Sequence, residues 1–162
     1  MRIAIIGAGK VGTFIAADLI ENGHEVAVVE RDAQQVDRRR GTDGLEAVEW
    51  VVADACEVGE LSRANLDTAD VVLAVTGDDE DNLVISLLAK QEFAVPRVVA
   101  RVNNPKNDWM FNEMWGVDVS VSGSQKGLML PPGISFNALS PRAIDASKKA
   151  TLPRSFWAWD EI

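Results

Sequence analysis

Arg2-Ile3-Ala4-Ile5-Ile6-Gly7-Ala8-Gly9-Lys10-Val11-Gly12 lies one residue from the start of the chain and decides the fold. The apolar run to Ile6 suits a strand covered on both faces. A Gly-x-Gly-x-x-Gly turn follows, and then a helical pattern over Lys10–Asn22. That context gives the glycine spacing a mechanism. Gly7 allows the tight turn, Gly9 lets the backbone approach a pyrophosphate, and Gly12 permits close helix–strand packing. Between them Ala8, Lys10 and Val11 complete the turn, and the helix starting near Lys10 aims free N–H groups and its positive end at the phosphates. The competing reading is a turn whose glycines serve packing alone.

Outward from this stretch, short β-branched runs alternate with helical ones. Strands are predicted at Arg2–Ile6, Glu25–Glu30, Val48–Ala53, Asp70–Val75, Arg97–Val102 and Val117–Val121. Helices are predicted at Lys10–Asn22, Ala33–Arg39, Val58–Asn65, Asp79–Phe93 and Lys106–Trp115. Such alternation implies right-handed crossovers. The expected class is α/β: a doubly wound, mainly parallel, six-stranded Rossmann-type sheet in the order 3-2-1-4-5-6, with helices on both faces. The pattern breaks after Val121. Residues 122–162 hold four of the six prolines and the breakers Ser122-Gly123-Ser124, Pro131-Pro132-Gly133 and Ser140-Pro141. We divide the chain into a nucleotide-binding domain, 1–121, and an irregular C-terminal tail, 122–162, in which only Pro141–Ala150 suits a modest helix.

Several residues at predicted strand ends carry chemistry. Glu30 ends the second strand 18 residues after Gly12, where an acid accepts hydrogen bonds from ribose hydroxyls and repels a 2′-phosphate. Arg31 beside it keeps a 2′-phosphate conceivable, and the bland alternative is two solvated residues at a strand end. Asp54, followed by Ala55, ends the third strand; it can reach an adenine amino group, or cap the helix near Val58. Cys56 has no basic neighbour in sequence and reads as a small buried residue. Thr76-Gly77-Asp78-Asp79-Glu80-Asp81 follows the fourth strand. Its acids suit helix capping, by Asp78 or Asp79, better than they suit a cation. Arg101 ends the fifth strand, where its guanidinium can approach phosphates or pair with an acidic surface. Trp109, Met110, Phe111, Met114 and Trp115 are too apolar for a solvated helix and read equally as core or as a subunit contact.

Composition narrows the function classes. The chain has 162 residues, suited to one domain, and a net charge of −9, which argues against a nucleic-acid partner. The first 120 residues carry 11 basic and 22 acidic side chains, and residues 121–162 carry 5 and 3. One cysteine, no cleavable leader pattern and no apolar run of membrane-spanning length point to a cytoplasmic protein that does not insert into the membrane. The sequence has no Tyr, so a Tyr–Lys acid–base pair is excluded. The only His, His24, falls in a turn at the end of the sheet opposite the ligand crevice. No metal-ligand spacing and no nucleophile elbow occur. We therefore expect a nucleotide cradle with no catalytic residues and no metal.

With these residues assembled, the chain resembles the N-terminal lobe of the RCK family (also called KTN). More narrowly, it is similar to the NAD-binding, TrkA-N type regulatory subunit of bacterial Trk/Ktr potassium uptake systems. The resemblance rests on Gly7–Gly12, Val29-Glu30-Arg31-Asp32, Ala53-Asp54-Ala55, Thr76-Gly77-Asp78-Asp79-Glu80-Asp81-Asn82, Leu87-Leu88-Ala89-Lys90 and Ala100-Arg101-Val102-Asn103-Asn104-Pro105, and covers roughly residues 1–121. It implies that Gly7, Gly9 and Gly12 cradle the phosphates of NAD(H), ATP or ADP, with NAD(H) favoured. Glu30 would hold the ribose and Asp54 the adenine edge, Thr76 and Gly77 would line the crevice, and Arg101 would approach the phosphates. It implies a homo-oligomer, a dimer or a ring, beneath a membrane potassium transporter subunit, gating its pore by nucleotide exchange without catalysis. The tail departs from the family pattern, lacking the composition of its crossover helix and room for its C-terminal lobe. The alternatives are an NAD-dependent oxidoreductase, or a fragment of one, and a free-standing nucleotide-binding interaction module.

Overall fold

In the computed structural model, which describes residues 1–123 and 135–139, the strand β1 (Arg2–Ile6) lies between β2 (Glu25–Glu30) and β4 (Val71–Ala74). Outward from these come β3 (Glu49–Val52) on one side and β5 (Arg97–Val102), then β6 (Val119–Gly123), on the other. All five pairings among these six strands are parallel, in the order 3-2-1-4-5-6 expected of a doubly wound sheet.

The apolar run of β1 is sorted by the two-residue period of a strand. Ile3 and Ile5 face one way, joining Val26, Val28 and Ala16 of α1 (Lys10–Glu21). Ala4 and Ile6 face the other way, joining Val72, Ala74 and the Leu83, Ile85 and Ala89 stripe of α4 (Asp79–Gln91). Ile5 is fully buried, which contributes about 2 kcal/mol of transfer free energy. Two smaller helices complete the cover: α2 (Ala33–Arg39), capped by Asp32, and α3 (Val58–Leu61). No helix among the described residues is long and apolar enough to cross a membrane.

The structure departs from the sequence expectations in three places. The helix expected over Val58–Asn65 stops at Leu61 and continues as short 3-10 turns, because Asn65 adopts a left-handed conformation (φ 49°). The helix expected over Lys106–Trp115 is two 3-10 turns, Pro105–Met110 and Glu113–Trp115. Here asparagine side chains take the backbone groups a helix would use. Asn104 accepts from the Lys106 amide, while Asn112 accepts from the Met114 amide and donates to the Trp109 carbonyl. The apolar residues of this segment divide accordingly. Phe111 is buried and Met110 packs against the core, whereas Trp109 and Met114 are 75 % and 86 % exposed.

The third departure is an unpredicted seventh strand, in the tail expected to be partly irregular. β7 (Ser135–Leu139) pairs antiparallel with β6, from Val119 opposite Leu139 to Gly123 opposite Ser135. An antiparallel edge strand on a parallel sheet needs no crossover. The helix expected over Pro141–Ala150 and the turn at Pro131-Pro132-Gly133 lie outside the described residues.

One polar knot fixes the far end of α4. Lys90 donates to the Val95 and Pro96 carbonyls at 3.1 and 2.8 Å and pairs with Asp118 at 2.6 Å. Asp118 is buried and also accepts the Val98 amide at 2.7 Å. The knot ties the end of the helix to the entries of β5 and β6. Lys90→Met leaves Asp118 charged without its counter-ion. We expect a loss of about 3 kcal/mol in urea unfolding; a loss below about 0.5 kcal/mol, typical of an exposed pair, would contradict this role.

Candidate functional site

The chain leaves β1 for one side of the sheet and reaches β4 on the other, so a crevice opens at the carboxyl ends of these neighbouring strands. The cavity there measures about 640 Å³, within the range of small-molecule sites. It is walled by the turn after β1, the ends of β2 and β3, the start of α4 and the end of β5.

The three glycines serve three different purposes. Gly7 has φ 110°, and a Cβ there would stand 3.2 Å from the Thr76 backbone, so the turns after β1 and β4 touch. A Cβ on Gly12 would fall on the Gly7 carbonyl oxygen, so α1 starts directly against the end of β1. Gly9 differs: a Cβ there meets nothing within 4 Å. Its openness is directed at the cavity it lines. Gly9 is also the N-cap of α1, with no side-chain cap and no acid in the first turn, whereas α2 and α4 are capped by Asp32 and Asp78. The α1 amides are thus left for another acceptor.

Glu30 is held at the β2 end by three donors: the Ala8 amide at 2.9 Å, the Asp32 amide at 3.1 Å and Gln35 Nε2 at 2.8 Å. It therefore braces the glycine turn while lining the cavity. Of the residues nominated from sequence, Gly7, Gly9, Lys10, Val11, Glu30, Arg31, Asp54, Ala55, Thr76, Gly77 and Arg101 share this wall. Ala8 and Gly12 are buried behind it. Asp54 does not cap α3. Its carboxylate accepts the Cys56 amide at 2.9 Å, stabilising the turn after β3, while its own amide donates to Glu60.

Cys56 is half-buried and lines the cavity, a correction to its reading as a small buried residue. Its thiol lies 3.6 Å from Asp81 Oδ1 and is pushed up to about 12 by burial first, then by the charges of Asp81 and Asp54. It is a protonated donor at neutral pH. Asp78 is held below the ordinary carboxylate range, chiefly by the Asp81 amide that it accepts.

Two residues that sequence reasoning did not nominate organise the other wall. Asp79, read from sequence as a helix cap in preference to a cation ligand, is buried and accepts the Asn103 amide at 2.6 Å, the Asn104 amide at 2.9 Å and Asn107 Nδ2 at 2.9 Å. Asn82, fully buried, accepts the Thr76 amide at 2.9 Å and donates to the Arg101 carbonyl at 2.9 Å. The segments Thr76–Asn82 and Arg101–Asn107 are therefore one hydrogen-bonded unit, with Arg101 on its cavity side. The available signal was spacing: Asp79, Asn82 and Ser86 recur at helical intervals on the same face as Leu83, Ile85 and Ala89.

Among the described residues, Lys10 and Arg101 have no ion-pair partner, while Arg31 reaches across to Asp81 at 3.8 Å. The cavity thus offers an uncapped helix start, two unpaired cations, and an acid at the β2 end. This donor set fits an anion attached to a polyhydroxyl group.

The model of the TrkA-N domain matches residues 3–123. This chain belongs to the TrkA-N domain family. The Trk system potassium uptake protein TrkA of Mycobacterium tuberculosis is 50 % identical over 122 residues, 75 % of this chain and 54 % of that protein. The chain thus spans about half the length of this relative. A stretch of 43 residues, 26 % of this chain, is 56 % identical to 11 % of an L-aspartate–glyoxylate aminotransferase of Paracoccus denitrificans, too small a part to carry that enzyme's function. Among solved structures, the TrkA-N domain of the inner membrane protein ybaL from Escherichia coli superposes with a TM-score of 0.64 at 19 % identity, covering 76 % of this chain and 88 % of that one. The GsuK channel bound to NAD gives 0.62 at 17 %, covering 72 % and 20 %. These likenesses agree with the Rossmann-type TrkA-N fold seen in the topology.

Burial of the Cys56 thiol in this TrkA-N domain has a measurable consequence. Because folding raises its pKa from 9.0 to about 12, the folded state binds more protons than the unfolded state at high pH. The associated stability is full below about pH 9 and is lost as pH rises towards 12. At pH 8 we expect iodoacetamide to label Cys56 at least about tenfold more slowly in folded than in urea-unfolded protein. Equal rates would contradict a buried, acid-flanked thiol.

Proposed function

We propose that this TrkA-N domain is the nucleotide-sensing unit of a potassium uptake transporter, binding NAD(H) at the crevice between β1 and β4. The observation that carries the proposal is the uncapped α1 start beside the open face of Gly9, in a chain half identical to a TrkA over 75 % of its length. Gly7, Gly9 and Gly12, with Ala8, Lys10 and Val11, form the phosphate cradle, and Arg101 adds a cation. Glu30 takes the ribose, Asp54 and Ala55 the adenine end, and Thr76 and Gly77 the opposite wall. NAD supplies an adenosine ribose, a pyrophosphate and a redox-active ring to be read. The cavity lines up Lys10, Arg31 and Arg101 against Glu30, Asp54, Asp78 and Asp81. That balance favours a dinucleotide over the denser charge of ATP or ADP, which remain competitors for the same cradle.

The ligand is sensed and not converted. Of the cavity's four acids, three are engaged by backbone amides, Glu30 by two, Asp54 by one and Asp78 by two, and Asp81 by the Cys56 thiol and Arg31. The Cys56 thiol is held protonated. None of these groups is poised to move a proton. Signalling then rests on differential affinity for two arrangements of the assembly, since a ligand with equal affinity for both shifts neither. We place the unit at residues 1–121; beyond that boundary the described residues complete β6 and supply β7. Exposed Trp109 and Met114 support contact with a second copy, and hence a homo-oligomer, placed at the inner face of the cell membrane by a potassium transporter subunit.

Calorimetric titration with NAD, NADH, ATP and ADP tests the proposal. We expect micromolar binding of NAD or NADH, lost in Gly9→Val with circular dichroism and thermal midpoint preserved, because the added side chain enters open space. Absence of binding by all four nucleotides, or undiminished affinity in folded Gly9→Val, would overturn it.

A further inference from the structure

Arg31 follows Glu30 at the end of β2, where an arginine accommodates a 2′-phosphate in related folds. In this chain the guanidinium is drawn away. Its Nη1 lies 3.8 Å from Asp81 Oδ2, across the mouth of the cavity, with the two side chains 69 % and 32 % exposed. Asp81 comes from the first turn of α4, on the opposite wall, and its amide donates to Asp78 Oδ1 at 3.2 Å. Its other oxygen accepts the Cys56 thiol at 3.6 Å. Both oxygens of Asp81 are therefore engaged by residues that line the cavity, one on each side.

From this arrangement, and resting on the adenine-nucleotide reading above, we infer that Asp81 is a specificity-determining residue that excludes 2′-phosphorylated nucleotides by sequestering Arg31. Glu30 repels a 2′-phosphate from the β2 side. Asp81, from the α4 side, acts by holding the Arg31 guanidinium that would otherwise receive it. Two carboxylates from separate elements thus guard one corner of the site. The thiol donor holds Asp81 in place, so the turn after β3 contributes to the same discrimination. In sequence, Glu30-Arg31 is ambiguous between NAD and NADP; the residue that resolves it lies 50 positions further on, in another element.

The test is a double-mutant cycle on the full chain, titrated with NAD and NADP and, as fragments, with ADP and adenosine 2′,5′-bisphosphate. Asp81→Asn keeps the side-chain shape and removes the charge. We expect the ratio of NAD to NADP affinity to move about tenfold towards NADP, with the bisphosphate fragment following. The shift should vanish in Asp81→Asn combined with Arg31→Ala, because it acts through the released guanidinium. A general loosening of the fold would not depend on Arg31 in this way. Should Asp81→Asn not fold, Asp81→Ser carries the same expectation. An unchanged ratio in a folded Asp81 variant that still binds NAD, or a shift that survives Arg31→Ala, would overturn the inference. Absence of NAD and ADP binding by the unaltered chain would overturn the nucleotide reading itself, and this inference with it.

Discussion

The site depends on a steric constraint: α1 must begin in contact with the end of β1. Because a Cβ at Gly12 would fall on the Gly7 carbonyl oxygen, only a glycine lets the helix come that close. Gly7, with its positive φ, turns the chain back within the width of the sheet. Together they aim the first α1 amides at the crevice and leave them uncapped. Two other helix starts are satisfied internally, by Asp32 on α2 and Asp78 on α4, while the one-turn α3 has no side-chain cap but carries Glu60 in its first turn. The contrast marks α1 as the one of these helix starts arranged for an external acceptor.

Around that fixed point the chain builds its walls by different means. On the β2 side, one carboxylate, Glu30, gathers two amides and a side-chain amide, bracing the glycine turn from behind. On the α4 side, Asp79 and Asn82 sit inside the protein and hold the loop after β4 to the loop after β5. Buried polar groups of this kind stabilise only when fully partnered, and these two are. The loop beyond β5 leads directly to exposed Trp109 and Met114. The hydrogen bonds of Asp79 to Asn103, Asn104 and Asn107 thus join the α4 side of the cavity to the segment that carries the apolar surface proposed to meet a second copy.

Much of this was legible in the sequence. The continuous apolar runs located six strands to within two residues at each end, and β1, β2 and β5 matched in full. The runs work because parallel strands are covered on both faces, leaving no ambiguity of period. The structure brings Glu30 to the glycine turn, its carboxylate accepting the Ala8 amide, because the parallel topology gathers neighbouring strand ends at one edge. The misses have separate causes. The segment at 105–115 has helical spacing, but Asn104 and Asn112 bind backbone groups that a helix needs, and such side-chain competition leaves no periodic trace. β7 was missed because Ser135-Phe136-Asn137-Ala138-Leu139 lacks the continuous apolar run of a strand buried on both faces. Asp79 and Asn82 were passed over because acids and amides at a helix start read as caps. The burial that changes their role comes from β5, some 20 residues away.

The central claim is that the α1 start, the β2 end and the β4 turn act together as one nucleotide cradle in this TrkA-N domain. Amide-resolved NMR spectra recorded while NAD is added test it directly, residue by residue. The account predicts the largest shifts at Gly7, Gly9, Lys10 and Val11, with smaller ones at Glu30 and Arg31 and at Thr76 and Gly77. Shifts confined to another surface, such as the segment around Trp109 and Met114, or no shifts at saturating NAD, would contradict it.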